Sequence, residues 1–214
     1  MFSVCEIFTS IQGESSYAGL PCTFIRLTGC NLRCSYCDTT YAYEGGAAMT
    51  VEQIVEKAVS AGMRLVEITG GEPLLHDETP ALVAILADMG IRVLIETNGS
   101  LDISRLTAIP LSTVIMDIKT PSSGMALHND YANISRLRRS DEVKFVIGSR
   151  DDYTWAVEIV RQYDIDNICT VLMSPVDTSL DAATLIKWII EDRLAVRLNV
   201  QLHKYIFGPD VRGV

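Results

Sequence analysis

The sequence predicts an α/β fold, a reduced partial (β/α)6 barrel with missing or shortened helices. Three observations predict it. Short apolar or β-branched runs alternate with helical segments about six times, a pattern that gives parallel strands joined by right-handed crossovers. The 214 residues fall short of the ~250 typical of a full eight-unit barrel. Some connections, residues 102–106 among them, are too short for a full helix.

Composition narrows the class. Hydrophobic residues make up 48% and charged residues 21%, a balance that fills one sizeable core. The length fits a single domain over residues 1–214. A net charge of −9 argues against direct nucleic-acid binding, which favours a basic face. No apolar run approaches the roughly 20 residues of a membrane span. Residues 1–7 have neither a basic leader nor a long apolar core, so no signal peptide is expected. Free cysteines without an export signal point to a reducing cytoplasm.

Taken in order, residues 4–8 alternate and read as a strand. A loop over 10–19 follows, carrying Gln12, Gly13 and Glu14. The glycine lets both flanking side chains face one pocket and leaves the backbone approachable; an ordinary polar turn is the alternative. Residues 23–28 are β-rich and form the first core strand. Arg26 inside it needs a carboxylate partner, either a structural Asp or Glu or a bound carboxylate.

That strand runs into Gly29-Cys30-Asn31-Leu32-Arg33-Cys34-Ser35-Tyr36-Cys37-Asp38-Thr39. The C-x3-C-x2-C spacing can aim three thiolates at one centre. A 4Fe–4S cluster normally takes four cysteines, so three leave one iron open to a small chelating molecule with an amine and a carboxylate. S-adenosylmethionine (SAM) meets that description. Zinc sites use similar donors, usually as two separated pairs, and a plain electron-transfer centre is a further alternative. Cys22 and Cys169 lie in apolar runs and read as buried small hydrophobes.

Residues 50–61 form a helix, capped by Thr50 with Gln53 completing a capping box and stopped by Gly62. Residues 65–69 are a strand ending at Gly70-Gly71-Glu72-Pro73, where two glycines open the backbone to a ligand amine and Glu72 can accept from it. Helix 78–89 and strand 92–96 follow, then the Thr97-Asn98-Gly99 turn. Strand 114–118 ends with Asp117, Ile118 and Lys119, which either reach a cofactor or form a solvated charge pair. Residues 122–139 are irregular. Strand 143–147, helix 151–163, strand 168–173, helix 180–191 and a last strand over 196–202, ending at His203, complete the chain.

The cysteine triad with Tyr36 before its third member resembles the radical SAM superfamily. Together with Phe8-Thr9-Ser10-Ile11-Gln12-Gly13-Glu14, Thr69-Gly70-Gly71-Glu72-Pro73, Ile95-Glu96-Thr97-Asn98-Gly99 and His203-Lys204-Tyr205, it resembles the 7-carboxy-7-deazaguanine synthase family over essentially the whole chain. The resemblance implies a radical SAM barrel and a lyase. The lyase converts 6-carboxy-5,6,7,8-tetrahydropterin to 7-carboxy-7-deazaguanine with release of ammonia, in queuosine and 7-deazapurine biosynthesis. It implies a 4Fe–4S cluster on Cys30, Cys34 and Cys37, SAM, and Mg2+ at Thr39. Substrate contacts carry over to Ile11, Gln12, Gly13, Glu14, Arg26, Thr69 and His203. SAM contacts carry over to Tyr36, Gly71, Glu72, Asp117, Ile118, Lys119, Ser174, Pro175, Val176 and Asp177. It further implies a homodimer and an electron donor of the flavodoxin or ferredoxin class. Residues 1–20 would be an N-terminal extension and 203–214 a tail closing over substrate. Some relatives end just after the His-Lys-Tyr segment and use their terminal carboxylate; here the chain continues to Val214, which leaves that contact open. A glycyl-radical-activating enzyme and a non-enzymatic iron–sulfur or zinc protein are the alternatives.

Overall fold

The computed structural model describes residues 1–209 and 211–213. Its nine strands are β1 (Phe2–Ile11), β2 (Pro21–Leu27), β3 (Ala47–Met49), β4 (Leu65–Gly70), β5 (Arg92–Thr97), β6 (Ser112–Asp117), β7 (Glu142–Ile147), β8 (Thr170–Pro175) and β9 (Arg197–Leu198). They form one sheet in the order β3-β1-β2-β4-β5-β6-β7-β8-β9. β1 pairs antiparallel with β2 and with β3. Every pairing from β2 to β9 is parallel.

The helices are α1 (Val51–Ser60), α2 (Thr79–Asp88), α3 (Ser104–Thr107), α4 (Arg150–Tyr163), α5 (Ile165–Ile168), α6 (Ala182–Glu191) and α7 (Leu202–Phe207). The expected capping box of α1 is present: the Gln53 N–H donates to Thr50 Oγ1, and the Thr50 N–H donates to Gln53 Oε1 at 2.9 Å. Ser149 and Asp181 cap α4 and α6 with one bond each, their side chains accepting from the Asp152 and Thr184 N–H groups. α3 is a single turn, and 3₁₀ turns replace a helix between β6 and β7, in line with the expected missing and shortened helices.

The two faces of the sheet follow from the two-residue side-chain period of a strand. One face carries Ile25, Leu27, Val66, Ile68, Val93, Ile95, Val114, Met116, Val143, Phe145, Val171 and Met173, packed under Ile54, Leu82, Leu86, Tyr153, Val157, Leu185 and Ile189 of the helices. The opposite face starts apolar, with Cys22, Phe24, Leu65, Leu94, Ile115 and Leu172. Two residues further along those strands it turns polar: Arg26 after Phe24, Glu67 after Leu65, Glu96 after Leu94, Asp117 after Ile115 and Ser174 after Leu172. The C-terminal strand ends thus carry functional groups over an apolar floor, as barrel-type folds do.

Three segments differ from the sequence expectation. β1 extends to Ile11, so the expected loop begins later. β3 is a short edge strand whose Ala47-Ala48-Met49 run carries no strand signal of its own. The expected strand 196–202 is reduced to Arg197–Leu198, and His203 lies on helix α7 instead. Asn199 still donates its N–H to Met173 O at 2.9 Å, and its side chain ties the end of the ladder to two other segments: Nδ2 donates to Ser174 Oγ at 2.7 Å and Oδ1 accepts from the Ser15 N–H at 2.7 Å. Leu202 N then donates to Gly13 O at 2.8 Å, tying the C-terminal crossing to the N-terminal loop. No described helix is long and apolar enough to cross a membrane.

Candidate active site

A cavity of about 760 Å³ opens at the C-terminal strand ends. Cys30, Cys34 and Cys37 line one side of it and are each partly exposed. Their loop is fastened to the C-terminal ends of the strands. Asn98 Nδ2 donates to Asn31 Oδ1 at 2.9 Å and Ser35 Oγ to Ser122 O at 2.6 Å. Cys30 Sγ accepts from the Leu32 N–H at 3.4 Å and from Asn98 Nδ2 at 3.9 Å. Three sulfurs facing one space, with N–H donors on one of them, fit a group that needs three thiolates. Among the described residues no three His, Cys, Asp or Glu close on a single metal ion. Burial pushes the Cys22 thiol far up and the Cys169 thiol to about 12, so neither is a ready thiolate. Burial also raises Cys34, with Lys119 opposing it.

The Gly70-Gly71 turn abuts this loop. A Cβ on Gly71 would lie 1.9 Å from Gly29 O, so that glycine is required for the turn to pack beside Cys30. Glu72 does not take the expected ligand-facing place. It is fully buried, away from the cavity lining, and its carboxylate accepts from the Asn98 N–H at 2.6 Å, Thr97 Oγ1 at 2.8 Å and the Leu74 N–H at 3.0 Å. Its oxygens are used to hold the Thr97-Asn98 turn against the glycine turn. Burial, outweighing those donors, keeps its pKa above the usual carboxyl range.

Asp117 and Lys119 form a buried pair at 2.8 Å on the cavity wall, not a solvated one. Ile118 between them points the other way, into the core under the helices; alternation along the strand puts its neighbours in the cavity and its own side chain out of it. Tyr36 lines the cavity, its hydroxyl 3.5 Å from Thr120 Oγ1. Burial, assisted by Asp117, pushes that hydroxyl up to about 12. Ser174, Pro175, Val176 and Asp177 line the neighbouring wall.

The remaining wall is a charge network. Lys144 Nζ donates to Glu96 and to Glu14 Oε2 at 3.2 Å, with Asp117 Oδ2 at 4.0 Å. Burial alone would lower Lys144, but Glu14 and Glu96 hold it well above its usual range. Burial would likewise raise Glu96; Lys144 and the Thr69 hydroxyl at 2.9 Å overcome it and keep Glu96 ionised. Arg26 is answered by a structural carboxylate: its Nε donates to Glu6 Oε1 at 2.8 Å across the β1–β2 pair. Its guanidinium carbon lies 5.8 Å from the Tyr41 ring, and the residue still lines the cavity.

Ile11, Gln12, Gly13, Glu14, Thr69 and His203 come together on the same cavity. Gly13 is where it is for His203: a Cβ there would sit 2.0 Å from His203 Nδ1. Gln12 donates through Nε2 to Glu67, and its Oε1 accepts from the Glu14 N–H at 2.6 Å. Thr39 does not cap the following turn. Its hydroxyl donates to Asp38 Oδ1 at 2.9 Å, leaving two oxygen-bearing side chains together on the cavity wall. Burial opposes ionisation of Asp38, but Thr39, Lys204 and Gln201 together hold its pKa below the usual range.

Glu67, Glu96, Lys144 and Asp38 also line the cavity and were not among the expected site residues. The signal for the first three was a charge inside an otherwise apolar strand, on the strand face that carries Thr69, Leu94 and Leu172. The tail contributes Pro209, Val211, Arg212 and Gly213 to the lining; Asp210 and Val214 lie outside the described residues.

Comparison with known proteins matches residues 24–188 to the radical SAM superfamily. A protein of Chlorobaculum tepidum named 7-carboxy-7-deazaguanine synthase is 45% identical, covering 99% of this chain and 97% of its own. One of the same name from Koribacter versatilis is 42% identical, covering 99% of each. The crystal structure of QueE from Escherichia coli superposes with a TM-score of 0.77 over 94% of each chain at 24% identity, which supports the fold.

Proposed function

The chain belongs to the radical SAM superfamily and, within it, to the 7-carboxy-7-deazaguanine synthase family, and we propose how its cavity divides between cofactor and substrate. The enzyme is a lyase that converts 6-carboxy-5,6,7,8-tetrahydropterin to 7-carboxy-7-deazaguanine with release of ammonia. The observation that carries the division is that three partly exposed cysteines and the Gln12–Glu14 segment line one cavity.

Cys30, Cys34 and Cys37 hold the 4Fe–4S cluster. Gly71, Tyr36, the Asp117–Lys119 pair and residues 174–177 hold SAM beside it. When bound, cluster and SAM supply a one-electron source and a carbon radical. Everything else falls to the chain. Asn98 and Leu32 donate to Cys30 Sγ, and such donors help set a cluster's potential. Lys119 offers a cation, and Asp117 a carboxylate, to the amino-acid end of SAM. Thr39 and Asp38 present oxygens, the donors that Mg2+ prefers, while the ion keeps several waters. Arg26 meets the substrate carboxylate with the guanidinium edge that Glu6 leaves open. Gln12, Glu14, Thr69 and His203 fix the ring system. Lys144, shared by Glu14 and Glu96, holds those carboxylates in place.

The sheet closes as a partial barrel around this cavity, and the chain acts as a single domain. Residues 1–20 supply substrate contacts and 203–214 close over them. A homodimer, a flavodoxin- or ferredoxin-class reductant and a cytoplasmic setting complete the reading.

The test is anaerobic. The reconstituted, reduced protein is given SAM, Mg2+ and 6-carboxytetrahydropterin, and product is followed by mass spectrometry. Formation of 7-carboxy-7-deazaguanine without net loss of SAM is expected. SAM cleavage to 5′-deoxyadenosine without a pterin product refutes the substrate assignment. Replacing Cys5, Cys22 and Cys169 together is expected to leave the cluster intact; its loss refutes the three-cysteine ligand set.

A further inference from the structure

Glu67 is a carboxyl at the cavity floor with no cation of its own. It lies on β4 between Phe24 of β2 and Leu94 of β5. It precedes Thr69 by two residues on the same strand face, and so sits about 6.6 Å deeper along the strand. It is 4% exposed and still lines the cavity. The groups facing it are Glu14 from the loop after β1, Glu96 from β5, Lys144 from β7, and Arg26 with the Cys22 thiol from β2. Lys144 already serves Glu14 and Glu96, and Arg26 serves Glu6. Glu67 instead receives a neutral donor on Oε2, the Gln12 amide, which is locked in orientation by the Glu14 N–H on its Oε1. Ionising a buried carboxyl in the company of two carboxylates is costly, so it keeps its proton. Burial, then Glu96 and Glu14, push its pKa well above the usual carboxyl range.

We propose that Glu67 is a specificity-determining residue that acts as a neutral carboxylic acid, pairing with an amide edge of the bound heterocycle, one N–H beside one C=O: the proton on Oε1 is donated to the C=O, and the lone pair of Oε2 that Gln12 leaves free accepts from the N–H. A carboxylate would meet the N–H and repel the C=O; the acid matches both. The proposal rests on the reading of this cavity as a pterin site. It makes glutamine the conservative replacement at a position where glutamate stands.

The test uses the reconstituted holoenzyme with SAM and no reductant, binding oxidised 6-carboxypterin and followed by pterin fluorescence. KM and kcat for 6-carboxytetrahydropterin are measured alongside. E67Q is expected to bind within about threefold of wild type. E67M, of similar length with no hydrogen bond to give, is expected to bind at least about tenfold more weakly, with the loss in KM and little in kcat. Wild-type affinity is expected to fall between pH 6 and pH 9 while that of E67Q holds. The proposal is overturned if E67M binds like wild type, if E67Q is as weak as E67M, or if wild type and E67Q share one pH slope. The last comparison stands even where E67M does not fold. Wild-type holoenzyme that binds neither pterin defeats the pterin reading itself, and this proposal with it. Wild-type binding that E67M leaves intact defeats the role of Glu67 alone.

Discussion

Single atoms decide whether this cavity works. A methyl group at Gly13 would meet His203 at Nδ1, 2.0 Å away, and at Cγ, 2.8 Å away, so the whole imidazole would have to move. Gly13→Ala is therefore expected to lower kcat/KM at least about tenfold and to cost about 1–3 kcal/mol of stability through overpacking, read by steady-state kinetics and thermal melting. An unchanged kcat/KM would show that His203 is not needed in its present place. Glu67 gives a prediction with a sign. Its folded-state pKa is raised above the ~4.3 of an unfolded glutamate. Its contribution to stability is complete below ~4.3 and is lost as pH rises toward and through the folded value, because the unfolded chain releases the proton first. Glutamine does not titrate. The Tm of E67Q minus that of wild type, measured on the protein without cofactors, should therefore grow from pH 5 to pH 8. A constant difference would mean that Glu67 titrates normally in the fold. The sequence made the motif residues legible because their spacing is local, as in Cys30-x3-Cys34-x2-Cys37. It left Glu67 and Lys144 unread because what matters about them is the count of charges facing them from other strands, which no single stretch records. Glu72 and Ile118 misled for a related reason: they stand beside site residues, and alternation or nearby turn amides turn their side chains elsewhere.

At the level of elements, the interior strands and long helices were legible and the edges were not. β4, β5, β6 and β7 are apolar runs bounded by turns, and α1 has its capping box written in Thr50 and Gln53. The last strand was overread because Val196, Leu198 and Val200 alternate as a strand should, while Asn199 has a stronger claim on the backbone. Its side chain bonds Ser15 N and Ser174 Oγ, each at 2.7 Å, and lies 3.3 Å from Glu14 Oε2. Asn199 thus buckles the N-terminal loop to β8 and aims the chain toward α7. It is 4% exposed, so truncating it leaves the Ser15 N–H buried without a partner. Asn199→Ala is expected to cost about 1–3 kcal/mol, a fall in Tm of about 2–12 °C for a chain of this size. It should also raise KM for the pterin more than it lowers kcat, because the loop it holds carries Gln12 and Glu14. Equal stability in wild type and variant would show that the buckle is incidental.

For the whole molecule, the puzzle is how a chain of net charge −9 admits a substrate that carries a carboxylate. The cavity lacks that acidic excess: Arg26, Lys119, Lys144, Lys204 and Arg212 line it and offset Glu14, Asp38, Glu96, Asp117 and Asp177, so with Glu67 protonated the lining is near neutral and a carboxylate meets cations held in place by ion pairs. Arg212 comes from the tail. Its guanidinium carbon lies 4.0 Å from the centre of the Tyr41 ring, and Tyr41 donates to Glu6, the partner of Arg26, at 3.1 Å. Lys204 on α7 spans Asp177 at 3.1 Å and Asp38 at 3.7 Å, so the C-terminal segment is pinned at its start by ion pairs and further on by one stacked arginine. A cation–π contact at an exposed site is worth about 0.5–1 kcal/mol, which is enough to favour a closed mouth and too little to prevent opening for substrate. Ending the chain after Gly208 should therefore leave Tm within about 2 °C, since little apolar surface is lost, and leave cluster loading unchanged. It should raise KM for the pterin several-fold. It should also raise the ratio of 5′-deoxyadenosine to 7-carboxy-7-deazaguanine, because an open mouth admits water to chemistry that depends on its exclusion. Arg212→Ala should reproduce a large part of both effects. If the truncated enzyme keeps both its KM and its product ratio, the tail lies over the cavity without closing it, and the seal must be made by α7 alone.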